Sequence, residues 1–163
     1  MNKLLFTVAL LSALFIASYL YSKYRVAPKV KFRNLSLTDL QGRAVSLDSY
    51  AGKNLFISFF ATWCPPCVRE IPALIAADKI LASEQFRFIL ISEEPIETLL
   101  RFKERLNVPL LILHSNQKLA EQNIVTIPTN YVLNPAHEIV YTKVGEADWA
   151  SAEIIEMIKS KVR

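Results

Sequence analysis

The chain has 163 residues, enough for one domain of ordinary size and an appendage. Its net charge is +4, but residues 1–33 contain six of its 19 basic residues and none of its 15 acidic residues, so the rest of the chain carries −2. Nucleic-acid-binding domains carry their positive charge on the folded domain itself, and this distribution therefore excludes a nucleic-acid partner.

An apolar run without Pro, Gly or charge extends from Leu4 to Ser22 and predicts a helix. About 20 residues, at roughly 1.5 Å rise each, match the hydrocarbon thickness of a bilayer. A cleaved signal peptide begins in a similar way, but it needs small residues at its cleavage site, where this segment has bulky ones. We therefore favour an uncleaved membrane anchor over residues 1–22, followed by a basic juxtamembrane linker over residues 23–34.

The charge pattern does not decide on which side of the membrane the domain lies. Basic residues after the span favour a cytoplasmic domain, but this rule weakens when a whole folded domain follows the span. The same basic residues can also lie against anionic lipid headgroups. Both orientations stay open on charge alone.

Strand-like and helix-like patterns alternate over residues 35–163, which we assign to one domain. Apolar runs at Leu55–Ala61 and Phe86–Ser92 predict buried strands, and helical spacing predicts a helix from Pro65 to Ala82 with a kink at Pro72. The other predicted elements are a strand pair at 35–37 and 44–47, a helix at 95–106, a strand at 110–113, a short helix at 117–123, a hairpin of strands at 129–133 and 138–144, and a helix at 149–162. This order predicts an α/β domain with a mixed sheet.

The only two cysteines, Cys64 and Cys67, enclose Pro65 and Pro66. A disulfide that closes so short a loop removes little entropy from the unfolded chain and would be a poor structural staple. A zinc site needs further ligands at comparable spacing, whereas the two histidines are isolated in the sequence. The spacing therefore favours a redox pair.

The position of this pair between a predicted strand and a predicted helix supports a redox role. Cys64 falls at the helix N-cap, where the positive end of the helix dipole stabilises a thiolate. Cys67 follows one turn later and is expected to be the more buried thiol, which predicts an exposed nucleophile and a resolving cysteine. Proline is tolerated at the first two helical positions because the helix does not use their N–H groups.

The stretch from Phe59 to Cys67, FFATWCPPC, resembles the active-site segment of the thioredoxin superfamily, specifically the membrane-anchored TlpA/ResA-like thiol–disulfide oxidoreductases. The segment Ile127–Thr129 resembles the cis-proline loop of that group, Gly145 the glycine after its last strand, and Leu37–Lys53 its N-terminal extension. The resemblance implies a thioredoxin-like three-layer sandwich with a mixed β-sheet, preceded by a single N-terminal transmembrane helix.

The resemblance also implies a function. It predicts a protein-disulfide reductase in the periplasm that acts on extracytoplasmic proteins, with cytochrome c biogenesis as one setting, and that is itself reduced by a membrane thiol-transfer protein. The pair needs no dissociable cofactor, and no metal is expected. The implied catalytic residues are Cys64, Cys67 and Glu70, with Cys64 and Cys67 forming a redox-active disulfide, and the implied substrate-binding residues are Trp63, Pro65, Pro66, Ile127 and Pro128.

The buried acid of thioredoxins has no counterpart on the predicted central strand. Ser58 stands at that position, whereas Glu70 matches the position of a functional glutamate in the TlpA/ResA-like group. Glu70 lies three residues after Cys67, on the same face of the predicted helix, where it can help that thiol lose its proton. The alternative is a solvated helix glutamate without a chemical role.

Other polar and aromatic residues receive structural interpretations. We interpret Trp149 as a core residue, and Glu93, Glu94 and Glu97 as the acidic N-terminal face of a helix without a chemical role.

Two rival functions stay open. A thiol peroxidase on the same fold would need a Thr-x-x-Cys approach, whereas Thr62 is two residues before Cys64, and a copper-binding carrier would need a ligand beside the pair.

Overall fold

A seven-stranded mixed sheet, in the order β2-β1-β5-β4-β3-β6-β7, forms the centre of the domain. The computed structural model describes residues 3–23 and 27–162. The strands are β1 Leu37–Thr38, β2 Ala44–Val45, β3 Asn54–Phe59, β4 Phe86–Ser92, β5 Leu111–Ser115, β6 Thr129–Leu133 and β7 Ile139–Val144. The helices are α1 Lys3–Lys23, α2 Pro65–Ile80, α3 Ile96–Arg105 and α4 Ala152–Val162. The predicted α/β domain with a mixed sheet is confirmed.

The central strand β3 is buried along its whole length, as its continuous apolar run predicts. It pairs in parallel with β4 and antiparallel with β6, and β4 pairs in parallel with β5. The connections β3-α2-β4 and β4-α3-β5 step across the sheet in the same direction. Right-handed crossovers therefore place α2 and α3 on the same face, and α4 joins them there in one apolar core.

The opposite face of the sheet is covered by 3-10 turns and extended chain instead of α-helices. Val30 and Phe32 are buried there, and the Phe32 ring lies 6.3 Å from that of Phe59 and 5.2 Å from that of Tyr131. Val30 and Phe32 belong to the segment predicted as a linker, so residues 27–34 of that segment pack against the domain. Its residues 24–26 lie outside the described ranges.

Several predicted boundaries shift by a few residues. The short helix predicted at 117–123 is a 3-10 turn at Leu119–Gln122, and α4 begins at Ala152, so Trp149 lies in the preceding turn. Pro72 lies inside α2 without ending it. The strand pair predicted at the start of the domain is present but only two residues long in each strand.

The N-terminal apolar run forms the helix α1, as predicted. Large apolar side chains along it, among them Phe6, Leu11 and Phe15, are more than half exposed. Within residues 3–23 and 27–162, no helix has the length and the apolar character that crossing a membrane requires.

Candidate active site

The cysteine pair lies where β3 ends and α2 begins, as its position in the sequence predicts. Cys64 has an extended backbone and caps the helix, and its Sγ accepts a hydrogen bond of 3.4 Å from the N–H of Cys67. Pro65 and Pro66 occupy the first two helical positions, where an N–H group would have no acceptor within the helix. The start of α2 therefore presents the Cys67 N–H and its positive dipole end to the sulfur of Cys64.

Cys64 and Cys67 form a disulfide, with their Cα atoms 5.3 Å apart. Their residue exposures are 4% and 1%, so the expected order of burial holds but the expected exposure of Cys64 does not. In this oxidised form the Cys64 sulfur is covered on two sides, because it is bonded to Cys67 and lies 3.8 Å from the carbonyl oxygen of Ile127.

The loop before β6 lies against this disulfide. Its Ile127–Pro128 peptide bond is cis, as the resemblance implied, with Pro128 buried and Ile127 half-buried. Gly145, directly after β7, donates its N–H to the carbonyl of Pro128 at 2.8 Å. Gly145 has a φ of +88°, a left-handed conformation that favours glycine, and it thereby braces the proline loop from behind.

Glu70 is buried in the domain, with only 3% of its surface exposed. Its carboxylate accepts hydrogen bonds from the Trp149 indole N–H at 3.0 Å, from Ser58 Oγ at 3.3 Å and from Asn130 Nδ2 at 3.5 Å. Burial raises the pKa of Glu70 to about 7, although these three donors act in the opposite direction. The alternative interpretation, a solvated helix glutamate, is therefore wrong.

The sequence does not predict the groups that surround Glu70. The sequence marks Ser58 only as a position without the expected acid and Trp149 only as a core residue, and it gives no signal for Asn130. Asn130 and Trp149 lie 60 and 79 residues from Glu70 along the chain. No local pattern connects positions so distant, and only the pairing of β6 with β3 and the packing of the turn before α4 bring them together.

Glu93 and Glu94 precede α3 and hold two loops in place, so of the three predicted acids only Glu97 lies in the first turn of the helix. The Glu94 carboxylate accepts hydrogen bonds from the Thr62 N–H at 2.6 Å and from the Thr62 hydroxyl at 2.8 Å. The Glu93 carboxylate accepts a hydrogen bond from the N–H of Leu119. Both glutamates follow the carboxyl end of β4, which neighbours the carboxyl end of β3, and this position is the signal that could have indicated their role.

A groove of about 620 Å³ adjoins the disulfide. Trp63 borders it and is 72% exposed, and Val125 on the opposite loop is 83% exposed. Leu119, Ile124 and Ile127 contribute further apolar surface. Of the predicted substrate-binding residues, Trp63 and Ile127 line this groove, whereas Pro65 is exposed and Pro66 half-buried at the start of α2.

Neither histidine lies in a cluster of metal-ligating side chains. Across residues 3–23 and 27–162, no group of three or more His, Cys, Asp or Glu is placed to hold a metal ion. His114 Nδ1 lies 2.9 Å from the carbonyl oxygen of Glu94, and His137 is in the turn between β6 and β7.

Comparisons with known proteins agree with this geometry. Residues 28–142 match the model of the AhpC/TSA family. A thiol–disulfide oxidoreductase ResA of Geobacillus thermodenitrificans is 30% identical over 80% of this chain and 77% of its own length. A ResA of Geobacillus kaustophilus is 32% identical over 63% of this chain, and the matched part spans 61% of that protein.

A solved structure extends the agreement to the fold. StoA of Bacillus subtilis superposes with a TM-score of 0.61 at 23% identity, covering 83% of this chain and 99% of StoA. The sheet order, the paired cysteines at the start of α2 and these relatives lead to one assignment. The chain belongs to the AhpC/TSA family and, within it, to the thiol–disulfide oxidoreductases of the ResA type.

Proposed function

We propose that the protein reduces disulfides of extracytoplasmic proteins while attached to a membrane. The observation that carries the proposal is the Cys64–Cys67 disulfide, which caps α2 and lies against the Ile127–Pro128 loop. A thiolate at that position is a nucleophile that a helix N-terminus stabilises. A client chain that lies in an extended conformation beside the Ile127–Pro128 loop would bring its disulfide to Cys64.

The reaction consists of two thiol–disulfide exchanges. In the first, the Cys64 thiolate attacks a client disulfide, forms a mixed disulfide and expels one client thiolate. In the second, the Cys67 thiolate attacks the Cys64 sulfur and expels the other client thiolate. Two electrons pass from the cysteine pair to the client, and the enzyme is left with the Cys64–Cys67 disulfide.

Glu70 accepts the proton that Cys67 must lose before the second exchange. It lies one helical turn after Cys67, and both side chains are buried. Because burial raises the pKa of Glu70 to about 7, this carboxyl can both accept and release a proton near neutral pH. A buried acid in this position supports proton transfer at the second step and not at the first.

The groove beside Trp63 supports a protein client in preference to a small disulfide. Trp63 and Val125 are large apolar side chains that the domain leaves exposed on both sides of the groove. Exposed apolar surface next to a reactive group is typical of a binding surface for another chain. We assign Trp63 and Ile127 to this surface, and we propose that Pro65, Pro66 and Pro128 contact the client beside it, at the start of α2 and in the loop before β6.

Membrane attachment and location belong to the same proposal. The exposed apolar side chains of α1 support its attachment to a membrane, and the resemblance to the membrane-anchored group supports an extracytoplasmic domain. A membrane thiol-transfer protein then reduces the Cys64–Cys67 disulfide after each cycle. Labelling of the cysteines in intact cells by a membrane-impermeant thiol reagent is expected, and labelling only after lysis would refute this placement.

A trapping experiment tests the activity. A Cys67→Ser variant is expected to accumulate mixed disulfides between Cys64 and client proteins in cells, and a Cys64→Ser, Cys67→Ser control is expected to accumulate none. Equal capture by both variants would refute the reaction.

Two further measurements test the direction and the class of the reaction. A reduction potential of the cysteine pair less negative than about −150 mV would refute the reductive direction. Peroxide consumption faster than that of a Cys64→Ser variant would favour a thiol peroxidase instead.

A further inference from the structure

The donors around the Glu70 carboxylate are the side chains of Ser58, Asn130 and Trp149 and the backbone N–H of Ala147, and they are not equivalent. Ser58 on β3 and Asn130 on β6 approach at 3.3 and 3.5 Å, at the long end of the hydrogen-bond range. The Trp149 indole N–H approaches Oε2 at 3.0 Å, a distance typical of N–H···O bonds. Among the side-chain donors, Trp149 therefore supplies the best-formed hydrogen bond to this carboxylate.

The direction of the Trp149 N–H is fixed by packing. The residue is 0% exposed, and its ring meets the Phe56 ring edge-on at 4.8 Å and the Tyr141 ring at 6.4 Å. An indole has a single donor, and at this depth water cannot replace its acceptor. A rigid donor aimed at one carboxylate oxygen holds that group in a single orientation more firmly than the Ser58 and Asn130 side chains do at their longer distances.

We propose that Trp149 is a positioning residue of the redox centre, whose indole N–H holds the Glu70 carboxylate in the orientation that exchanges a proton with Cys67. The inference rests on the proposed role of Glu70 and extends it, because it assigns control of that group to a core tryptophan 79 residues away. A donor to a carboxylate stabilises its ionised form. Without this donor, burial dominates and the carboxyl keeps its proton to higher pH.

The other charged groups near Glu70 do not account for such an effect. Arg69, Glu146 and Asp148 line a surface groove that reaches Glu70, but none of the three is bonded to its carboxylate. Arg69 pairs with Glu146 at 2.8 Å. Ser58 and Asn130 do not titrate near neutral pH, and Cys67 lies one helical turn before Glu70 in the same helix.

The two exchange steps can be measured separately because each of them releases one coloured thiolate. Reduced protein reacts with an aromatic disulfide, dithiobis-nitrobenzoate: Cys64 attack releases the first thionitrobenzoate, and Cys67 attack on the mixed disulfide releases the second. A Trp149→Phe variant keeps an aromatic ring and removes the N–H. We expect the pH midpoint of its second release to rise by about one to two pH units, with the first release unchanged. At pH 7 the second release should slow by about five- to fifty-fold.

Two controls distinguish positioning from packing. Phe88→Leu removes a buried aromatic ring that, like Trp149, packs against Phe56 but has no bond to Glu70. Its midpoint should stay at the wild-type value. If Trp149→Phe does not fold, a tryptophan analogue in which sulfur replaces the ring N–H, incorporated at position 149 alone, removes the same donor while keeping the ring size.

A Glu70→Gln background completes the design. In that background Trp149→Phe should change the second release by no more than about twofold, because the group that it positions is absent. If Glu70→Gln slows the second release but neither change at Trp149 moves the midpoint, the inference is refuted and the role of Glu70 stands. If Glu70→Gln leaves the second release unchanged, both are refuted.

Discussion

Replacing Glu70 by Gln should make the oxidised protein more stable at neutral and alkaline pH. The substitution keeps the shape of the side chain and an acceptor for the Trp149 N–H, but it removes the ionisable group. Burial raises the pKa of Glu70 from its ordinary value of 4.5 to about 7 in the folded protein. The fold therefore favours the protonated carboxyl, and ionisation of this buried group destabilises it.

The magnitude follows from the difference between the folded and unfolded pKa values. One pH unit of difference corresponds to about 1.4 kcal/mol, so a separation of 4.5 from about 7 amounts to about 3 kcal/mol. Below pH 4.5 the group is protonated in both states and contributes no penalty. The penalty grows as the pH rises from 4.5 to 7 and is constant above that, so the advantage of the Gln variant should grow by about 3 kcal/mol over the same interval.

Urea unfolding of the oxidised proteins, followed by circular dichroism between pH 4.5 and 8.5, measures this difference. Glu104→Gln, which changes an exposed glutamate of α3, is the matched control for loss of a surface carboxylate. Its difference from the wild type should vary far less with pH. If the Glu70→Gln difference changes by less than about 1 kcal/mol over this range, Glu70 ionises as readily in the folded protein as in the unfolded chain, and the raised pKa assigned to it is wrong.

Three further substitutions test other parts of the structure. Thr62→Val removes the hydroxyl that donates to Glu94 and should lower the free energy of unfolding by about 1–2 kcal/mol, with a less than additive effect when combined with Glu94→Gln in urea unfolding. Trp63→Ala should lower kcat/KM for a protein disulfide by about tenfold while changing thermal stability little, since the side chain is 72% exposed. Gln85→Gly should raise the free energy of unfolding by about 1 kcal/mol, because Gln85 is exposed and has a φ of +55°, whereas Ser83→Gly, two residues earlier, should lower it.

The parts of the fold that the sequence predicts are those that local patterns determine. The apolar run of β3 must be buried on both faces, and the helical spacing after Pro65 must form an amphipathic helix. Their junction therefore follows from residues 55–80 alone, and with it the position of the cysteine pair. Boundaries are less well predicted where a short segment forms a 3-10 turn, as at Leu119–Gln122, since tertiary packing decides between the two helix types.

The environment of the cysteines depends on contacts that no local pattern contains. Trp149 was predicted to be buried, which is correct, but its polar edge is directed at a carboxylate on another helix. Glu94 follows the pattern of an acidic helix start, yet its carboxylate turns back to the loop before Cys64. In both cases the side chain has a local role, in the core or at a helix start, that the sequence predicts. Its second role is a hydrogen bond to a residue distant in the chain, which depends on how the strands pair and is not visible in the sequence.

Among the described residues Glu70 is the one fully buried acid, and the position of Ser58 explains why the central strand carries none. Ser58 Oγ donates to the Glu70 carboxylate at 3.3 Å, so the strand position and the helix position face the same buried space. Two carboxylates in that space could not both ionise, because each would raise the pKa of the other. The strand and the helix are therefore alternative sources of one acid. Because the helix supplies the carboxylate here, the strand supplies a hydroxyl that donates to it.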